Sequence, residues 1–124
     1  LINEKGVNGE AKTKYGSTLL HFACRGGRLD VVKHLVNRGA KVEAKTMYGS
    51  TPLHWASSWG RLEVVKYLIE QKGGNAEAKT YYGLTPLHFA CKEGRLAVVR
   101  YLVEDHGASV LQAQDKNGST PLHH

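Results

Sequence analysis

One six-residue segment occurs four times in this chain and constrains its fold more than any other feature. It reads Gly-Ser-Thr-Pro-Leu-His at 49–54, and close variants of it stand at 16–21, 83–88 and 118–123. The threonine inside it recurs at spacings of 33, 34 and 35 residues. A self-similar period of this length is the signature of a stacked array in which each unit packs on its neighbours. The sequence therefore predicts a repeat array.

Each unit predicts a pair of helices. Thr51-Pro52 and Thr85-Pro86 are typical helix starts, because the hydroxyl caps free N–H groups and the proline lacks an N–H that would need a partner. A second helix is predicted over 61–71, where apolar residues at helical spacing give one buried stripe. A polar run with a turn glycine follows each pair and predicts a protruding hairpin. The stripe of the middle unit is Leu62, Val65, Leu68 and Ile69.

The repeat register divides residues 1–124 into one array of three nearly complete units with a partial unit at each end. We expect a fragment of a longer array, because the first segment aligns with the second half of a repeat. Lys72 is one extra residue, and 108–114 carries a similar insertion, so we expect both loops to bulge. The predicted segments are the end of a truncated repeat at 1–12, repeats at 13–45, 46–79 and 80–114, and the start of a truncated repeat at 115–124.

Helix, tight turn, helix and hairpin at this period resemble the ankyrin repeat. The likeness covers essentially the whole chain and rests on the Thr-Pro-Leu-His start, the Gly-Arg-Leu link and the Val-Val pair of the second helix. It implies an all-α fold, an α-solenoid of stacked ankyrin-like helix-turn-helix repeats joined by β-hairpin-type loops. Thr13, Thr46 and Thr80 depart from the family, which commonly has aspartate at that place.

Charge and cysteine content bear on the partner and the compartment. The formal net charge is +6, which favours acidic partners or a polyanion. Cys24 and Cys91 occupy the same place in units two repeats apart, beyond disulfide reach, so we expect a reduced, intracellular protein of the cytoplasm or nucleus. No stretch approaches the roughly 18 apolar residues of a membrane span. We expect no membrane association and a monomer.

A histidine recurs near the start of the first helix in each unit, and this pattern raises the question of a metal site. One histidine per repeat separates the rings by about one repeat spacing, whereas zinc needs its ligands at about 2 Å from one centre. The resemblance implies a structural role instead, since in ankyrin repeats this imidazole bonds to the threonine-containing turns. We predict no metal and no cofactor. The residues assigned structural roles are His21, His54, His88, Thr51, Pro52, Thr85 and Pro86.

Two histidine–cysteine pairs at helical spacing are candidates for nucleophilic catalysis. His21 and Cys24, and likewise His88 and Cys91, lie three residues apart and could share a helix face. The cysteine place is filled by Ser57 in the middle unit, which favours a small buried residue over a nucleophile. Neither a glycine-rich phosphate loop nor a carboxylate pair stands out. We predict that the protein is not an enzyme.

The resemblance also implies where a partner would bind. Ankyrin arrays bind through their hairpin tips and the exposed side of the first helix, which together form a concave surface. In this chain that surface carries tyrosine and tryptophan, which dominate interface energetics. The alternative is that each tyrosine merely packs on the next hairpin. The candidate partner-binding residues are Tyr15, Met47, Tyr48, Trp59, Tyr81, Tyr82, Lys14, Ser50, Ser58, Leu84, Arg25 and Lys92.

A second aromatic row lies on the first helices, at Phe22, Trp55 and Phe89. Burial and partner contact remain open alternatives for these three side chains. Three arginines also share a register at the start of the second helix, and we expect them to brace the junctions between repeats. They are Arg28, Arg61 and Arg95.

Two functions follow from these features. The favoured one is a protein–protein interaction module that binds a protein or peptide, with basic residues steering an acidic segment into the aromatic strip. The alternative is nucleic-acid or other polyanion binding through basic hairpin-side residues such as Lys12, Lys45 and Lys79. Basic residues are spread over hairpins and second helices, which makes nucleic acid the weaker alternative.

Overall fold

The computed structural model describes residues 12–105, which form three helix pairs with hairpin-type loops between them. This all-α repeat arrangement confirms the predicted fold class. Most of the two predicted partial units, and the end of the third unit, lie outside the described residues. The helices are α1 (Leu19–Gly26), α2 (Leu29–Asn37), α3 (Pro52–Ser58), α4 (Leu62–Lys66), α5 (Pro86–Lys92) and α6 (Leu96–Arg100); α4 continues as a π-helical turn over Tyr67–Gln71, and α6 over Tyr101–Asp105.

Threonine caps start all three first helices, as the sequence predicts. The Thr51 hydroxyl accepts a hydrogen bond from the His54 backbone N–H at 3.4 Å. In return the Thr51 backbone N–H donates to His54 Nδ1 at 3.0 Å. The same reciprocal capping box starts α1 and α5, and proline occupies the first turn of α3 and α5. Two otherwise unpaired N–H groups are thereby satisfied at each start.

The core runs along the stack instead of closing around one centre. The first helices α1, α3 and α5 pack side by side, and each second helix packs behind its own first helix. Every pair contributes fully or almost fully buried aliphatic side chains, so neighbouring units share one apolar interior. These include Leu20, Val32 and Leu35, then Leu53, Val65 and Leu68, then Leu87, Val98 and Leu102.

Arginine side chains brace the junctions between described repeats. Arg61 Nε donates to the backbone carbonyl of Arg25 at 2.8 Å, and Arg95 Nε donates to that of Ser58 at 2.9 Å. Both bonds confirm the predicted role of this register. Arg28, the first arginine of the series, instead forms an exposed ion pair at 3.5 Å with the aspartate two residues after it.

The extra residue of the middle unit does not make its loop bulge, and that expectation was wrong. The spacing from Gly73 to Thr80 equals the spacing from Gly39 to Thr46, so the loop has its usual length. The additional residue is taken up inside the second helix, whose hydrogen bonding widens to a π-helix over Tyr67–Gln71. The other expected bulge, at 108–114, lies outside the described residues.

The hydrogen bonds that close the second helices show why the wider turn is tolerated. In the middle unit the Gly74 N–H donates to the Leu68 carbonyl at 2.8 Å. In the first unit the Ala40 N–H donates to the equivalent Leu35 carbonyl at 3.0 Å. The donor and acceptor there are one residue closer in sequence than in the middle unit. The helix therefore ends on the same buried leucine in both units, and the next hairpin starts from the same place.

Candidate functional site

The hairpin tips are shaped by a threonine that sequence reasoning noted only as a departure from the family. Thr46 Oγ1 accepts from the backbone N–H groups of Tyr48 and Ser50, both at 3.2 Å. Thr13 and Thr80 make the same pair of bonds in their own tips. A hydroxyl thus does what an aspartate oxygen would do in such a turn. The sequence does contain a signal for this role, because a threonine stands two residues before each of these Tyr-Gly pairs.

Backbone hydrogen bonds join each tip to the next. The Met47 N–H donates to the Tyr15 carbonyl at 2.8 Å, and the Tyr81 N–H donates to the Tyr48 carbonyl at 3.0 Å. Gly49 has a φ of 80° and allows this close approach, since a Cβ there would lie 2.8 Å from Tyr81 Cδ1. The tips therefore form a continuous ladder. The Tyr81 ring packs on the neighbouring tip and still remains exposed.

The histidines connect the first helices to the tips of the following unit. The Thr18 backbone N–H donates to His21 Nδ1 at 3.1 Å, so that nitrogen carries no proton. The proton therefore lies on Nε2, which donates to the Ser50 carbonyl at 2.9 Å. His54 Nε2 contacts two carbonyls of the next loop, those of Ala78 at 2.9 Å and Leu84 at 3.0 Å.

Burial keeps these imidazoles neutral. Burial lowers the pKa of His54 to about 4, although the carbonyl bonds from Ala78 and Leu84 act in the opposite direction. Burial also lowers the pKa of His21. Both ring nitrogens of His21 and of His54 already have hydrogen-bond partners. These nitrogens are therefore not available to bind a metal or to accept a proton from a nucleophile. Among residues 12–105, no group of three or more histidine, cysteine or acidic side chains is placed to hold a metal ion.

The histidine–cysteine pairs do not form nucleophilic dyads. Cys24 is fully buried, and burial raises the pKa of its thiol to about 12. Burial raises the pKa of Cys91 as well. The thiolate is the nucleophilic form, so burial acts against nucleophilic reactivity at both thiols. Ser57, at the same place in the middle unit, is also fully buried.

The candidate partner-binding residues are brought together on one face, which we call the tip face. It consists of the three tips at 13–17, 46–50 and 80–84 together with the adjoining side of α1, α3 and α5. The six large apolar candidates are 47–59% exposed, Lys14, Arg25 and Lys92 are exposed, and Ser50, Ser58 and Leu84 are partly buried. The six are Tyr15, Met47, Tyr48, Trp59, Tyr81 and Tyr82.

Two adjoining clefts open on the tip face. The larger, about 540 Å³, has aromatic walls from Tyr15, Phe22, Tyr48 and Trp55. The smaller, about 190 Å³, lies along α3 towards α5 and includes Arg25, Trp59 and Phe89. Ser50 and Trp55 line both. The candidates that do not line either cleft are Met47, Tyr81, Tyr82, Leu84 and Lys92.

The second aromatic row serves two purposes, which sequence reasoning left as alternatives. The Trp55 ring packs edge-on against His21 and Phe22, with centroids 5.1 and 5.4 Å apart. The Phe89 ring packs in the same way against His54, at 5.4 Å. These contacts cross from one unit to the next. Each ring is also a wall of the clefts on the tip face.

On the opposite face, formed by the second helices, several charged side chains contact tyrosines of the neighbouring unit. Lys33 Nζ lies 5.7 Å from the Tyr67 ring centroid, and Lys66 Nζ lies 5.8 Å from that of Tyr101. The Tyr101 hydroxyl donates to Glu70 at 2.6 Å. A cleft of about 260 Å³ on this face is lined by lysine and glutamate together. The two faces of the stack therefore differ in chemistry.

Comparisons with known proteins bear on the family. A family model described as ankyrin repeats (three copies) matches residues 1–80 and 72–124. No curated protein matches the sequence significantly. Ankyrin repeats are generally protein–protein interaction modules and typically non-catalytic. None of the helices described here has the length and apolar content needed to cross a membrane. With the match extending over the whole sequence and the helix pairs stacked as described, this chain belongs to the ankyrin-repeat family.

Proposed function

We propose that this chain binds a partner protein or peptide through the tip face, with its aromatic side chains at the centre of contact. One observation carries the proposal. Within residues 12–105, eight large apolar side chains are exposed, and seven of them belong to the tips or to the first helices and their ends. The eighth is Leu96, at the start of α6. Apolar side chains concentrated on one face are typical of an interaction site.

The rigidity of the tips supports the same proposal. Tyr15 and Tyr48 carry the carbonyls that hold the neighbouring tips, and Thr13 and Thr46 fix the turns from which these tyrosines project. A side chain that is already ordered loses less conformational entropy when a partner binds. Aromatic rings on fixed turns are thus well suited to serve as binding anchors.

The distribution of basic side chains favours protein over nucleic acid as the partner. Arg61 and Arg95 are engaged at the repeat junctions, and Lys33 and Lys66 lie over tyrosines on the opposite face. A nucleic-acid site would need the positive charge focused along one groove. The positive charge left on the tip face is better suited to an acidic peptide, and we take Lys14, Arg25 and Lys92 as its contributors.

We further propose that the protein has no catalytic activity and needs no cofactor. The buried histidines and thiols support this, because each imidazole nitrogen described above has a partner and the Cys24 thiol stays protonated. The reduced cysteines also support the expected intracellular location, in the cytoplasm or the nucleus. Their separation by two units leaves them as free thiols.

The proposal is tested by affinity capture from cell extract with the wild type and two variants. The first variant combines Tyr48→Ala and Trp59→Ala, which removes two exposed rings from the tip face. The matched control is Leu96→Ala, which removes an exposed apolar side chain from the other face. Proteins retained by the wild type and by Leu96→Ala, but lost from the double variant, are the expected result.

The opposite pattern contradicts the proposal. If the captured proteins are retained by the double variant and lost from Leu96→Ala, the binding face is that of the second helices. If nucleic acid is captured and its retention falls steeply as salt is raised, the polyanion alternative is correct. The steepness of that fall is proportional to the number of phosphates that the protein neutralises.

A further inference from the structure

Arg25 is unusual among the basic side chains of the tip face because aromatic rings surround it. Its guanidinium carbon lies 5.1 Å from the ring centroid of Phe22, 5.8 Å from that of Trp59 and 6.0 Å from that of Trp55. Two of these rings belong to the following unit, so the cluster spans a repeat junction. Lys14, by comparison, lies over the ring of its neighbour Tyr15 alone, at 5.2 Å.

The stacked guanidinium has no anionic partner within the described part of the chain. The neighbouring ion pair joins Arg28 to Asp30, and the hydrogen bond made at Arg25 uses its backbone carbonyl. Stacking occupies the faces of a guanidinium and leaves the N–H groups in its plane available. Those N–H groups form a rigid fork that matches the two oxygens of a carboxylate. Arg25 is therefore placed among three rings, while no acceptor within residues 12–105 uses its side-chain N–H groups.

The surroundings of Arg25 favour an anion. Among residues 12–105, Lys14 and Arg25 are the cations that line the clefts, and no acidic side chain of this range lines either of them. His54, which also lines the smaller cleft, is neutral at pH 7 because burial lowers its pKa to about 4. The tip face thus has a positive end beside an aromatic cleft, and no described carboxylate lines either cleft.

We propose that Arg25 anchors a carboxylate of the partner, and that the partner segment is a peptide in which an aspartate or glutamate lies close to a large apolar residue. The acidic side chain accepts the paired N–H groups of Arg25. The apolar side chain fills the cleft of about 540 Å³ walled by Tyr15, Tyr48 and Trp55. Ser50 and Trp55 line both clefts, so nearby side chains of one peptide reach both.

This inference rests on the proposed function and adds the chemistry of the partner to it. A preorganised arginine is expected to contribute more per hydrogen bond than a flexible lysine, because less side-chain freedom is lost on binding. A carboxylate bound beside the aromatic cluster would be partly removed from water, which strengthens its charged hydrogen bond to Arg25. The anchor therefore determines which peptides bind, besides attracting them.

The test begins with a library of random dodecapeptides displayed on phage and selected against the wild-type protein. Enriched peptides are expected to carry aspartate or glutamate close to tryptophan, phenylalanine, leucine or methionine. The consensus peptide is then synthesised with a fluorophore, and its Kd is measured by anisotropy. A second peptide has the acidic residue replaced by its amide, which keeps the shape and removes the charge.

The two peptides are measured against the wild type, Arg25→Gln and Arg100→Gln. We expect Arg25→Gln to raise the Kd of the acidic peptide at least about tenfold, the loss typical of a charged hydrogen bond. Arg100→Gln removes the same charge from α6 and should leave the Kd unchanged. The amide peptide should bind Arg25→Gln and the wild type equally, because the two changes remove one shared interaction.

A thermal melt of Arg25→Gln comes first, and its fold should be retained because Arg61 bonds to the backbone of Arg25 and not to its side chain. If that variant is unstable, Arg25→Lys takes its place, since it keeps the charge and loses the fork. It should weaken the acidic peptide several-fold.

Distinct outcomes overturn the anchor and the proposed function. Consensus peptides without an acidic residue, or additive losses in the paired measurements, reject Arg25 as the anchor; if Tyr48→Ala still weakens the peptide, the tip face remains the binding site. A peptide whose affinity is unaffected by Tyr48→Ala contradicts the proposed function, and the anchor is rejected with it. A selection that enriches nothing counts against both.

Discussion

His54 links helix capping, repeat stacking and charge at a single residue. Its Nδ1 accepts from the Thr51 N–H, and its Nε2 lies within hydrogen-bond distance of the Ala78 and Leu84 carbonyls. A proton added to Nδ1 would face the N–H that now donates to it. The neutral ring therefore fits its surroundings, and the charged ring does not.

We predict that the free energy of unfolding falls by about 3 kcal/mol from His54 alone as the pH drops from about 6.5 to about 4. Burial lowers the folded pKa to about 4 from an ordinary value of 6.5. Between those values the unfolded chain binds more protons, so stability rises with pH, is complete above about 6.5 and is lost on acidification. Urea unfolding at several pH values measures this slope.

The matched control for this prediction is His34→Gln, because His34 is exposed on α2 and makes no such link. It should leave the acid slope as steep as in the wild type. His54→Gln should lower stability at neutral pH and flatten the slope. A wild-type stability that stays constant from pH 7 to about 4 would contradict the buried neutral role of the histidines.

At the scale of elements, helix starts were predictable because their signals are local. Thr51 and Pro52 carry the capping information within one turn, and the apolar stripe that runs through α4 and its π-helical turn repeats at helical spacing. The place of the extra residue was not predictable in this way. A bulged loop and a π-helical turn can each accommodate one extra residue. Which of the two forms depends on the backbone carbonyl to which the Gly74 N–H donates at the end of the helix.

The tips depend on a threonine whose role only the folded chain reveals, and this gives a second prediction. We expect Thr46→Val to lower the free energy of unfolding by about 1–3 kcal/mol, because the nearly isosteric side chain leaves the N–H groups of Tyr48 and Ser50 without an acceptor. Urea unfolding measures the change. Thr46→Ser keeps the acceptor and should be clearly less destabilising.

Equal stability of the valine variant and the wild type would show that the hydroxyl does not hold the tip. The serine variant separates this effect from the loss of a methyl group, since Thr46 is buried.

At the scale of the whole molecule, the helix pairs bury their apolar side chains in a shared core, and the tip face exposes aromatic side chains. The stacking was predictable from the repeat period, whereas the exposed tip residues were implied by the resemblance to ankyrin repeats. The cluster around Arg25 was not, because its rings come from different units and their distances depend on how the units stack. Contacts between repeats are set by three-dimensional geometry that no single repeat encodes.

The division between core and tip face gives a third prediction. Leu68→Ala should cost about 2–5 kcal/mol of stability, because the leucine is fully buried and the remaining space cannot refill completely. Tyr81→Ala should cost less than about 1 kcal/mol, because about half of this residue, 54%, is exposed to solvent. Thermal or urea unfolding of both variants measures the contrast. A Tyr81→Ala variant that unfolds as readily as Leu68→Ala would place this ring in the core.

Hydroxyl-radical footprinting of the protein, with and without a captured partner, tests most directly whether partners bind the tip face. We predict that binding reduces oxidation of Tyr48, Trp59 and Tyr82, while oxidation of Leu96 on α6 stays unchanged. Protection of Leu96 with the three aromatic side chains still fully oxidised would contradict the account.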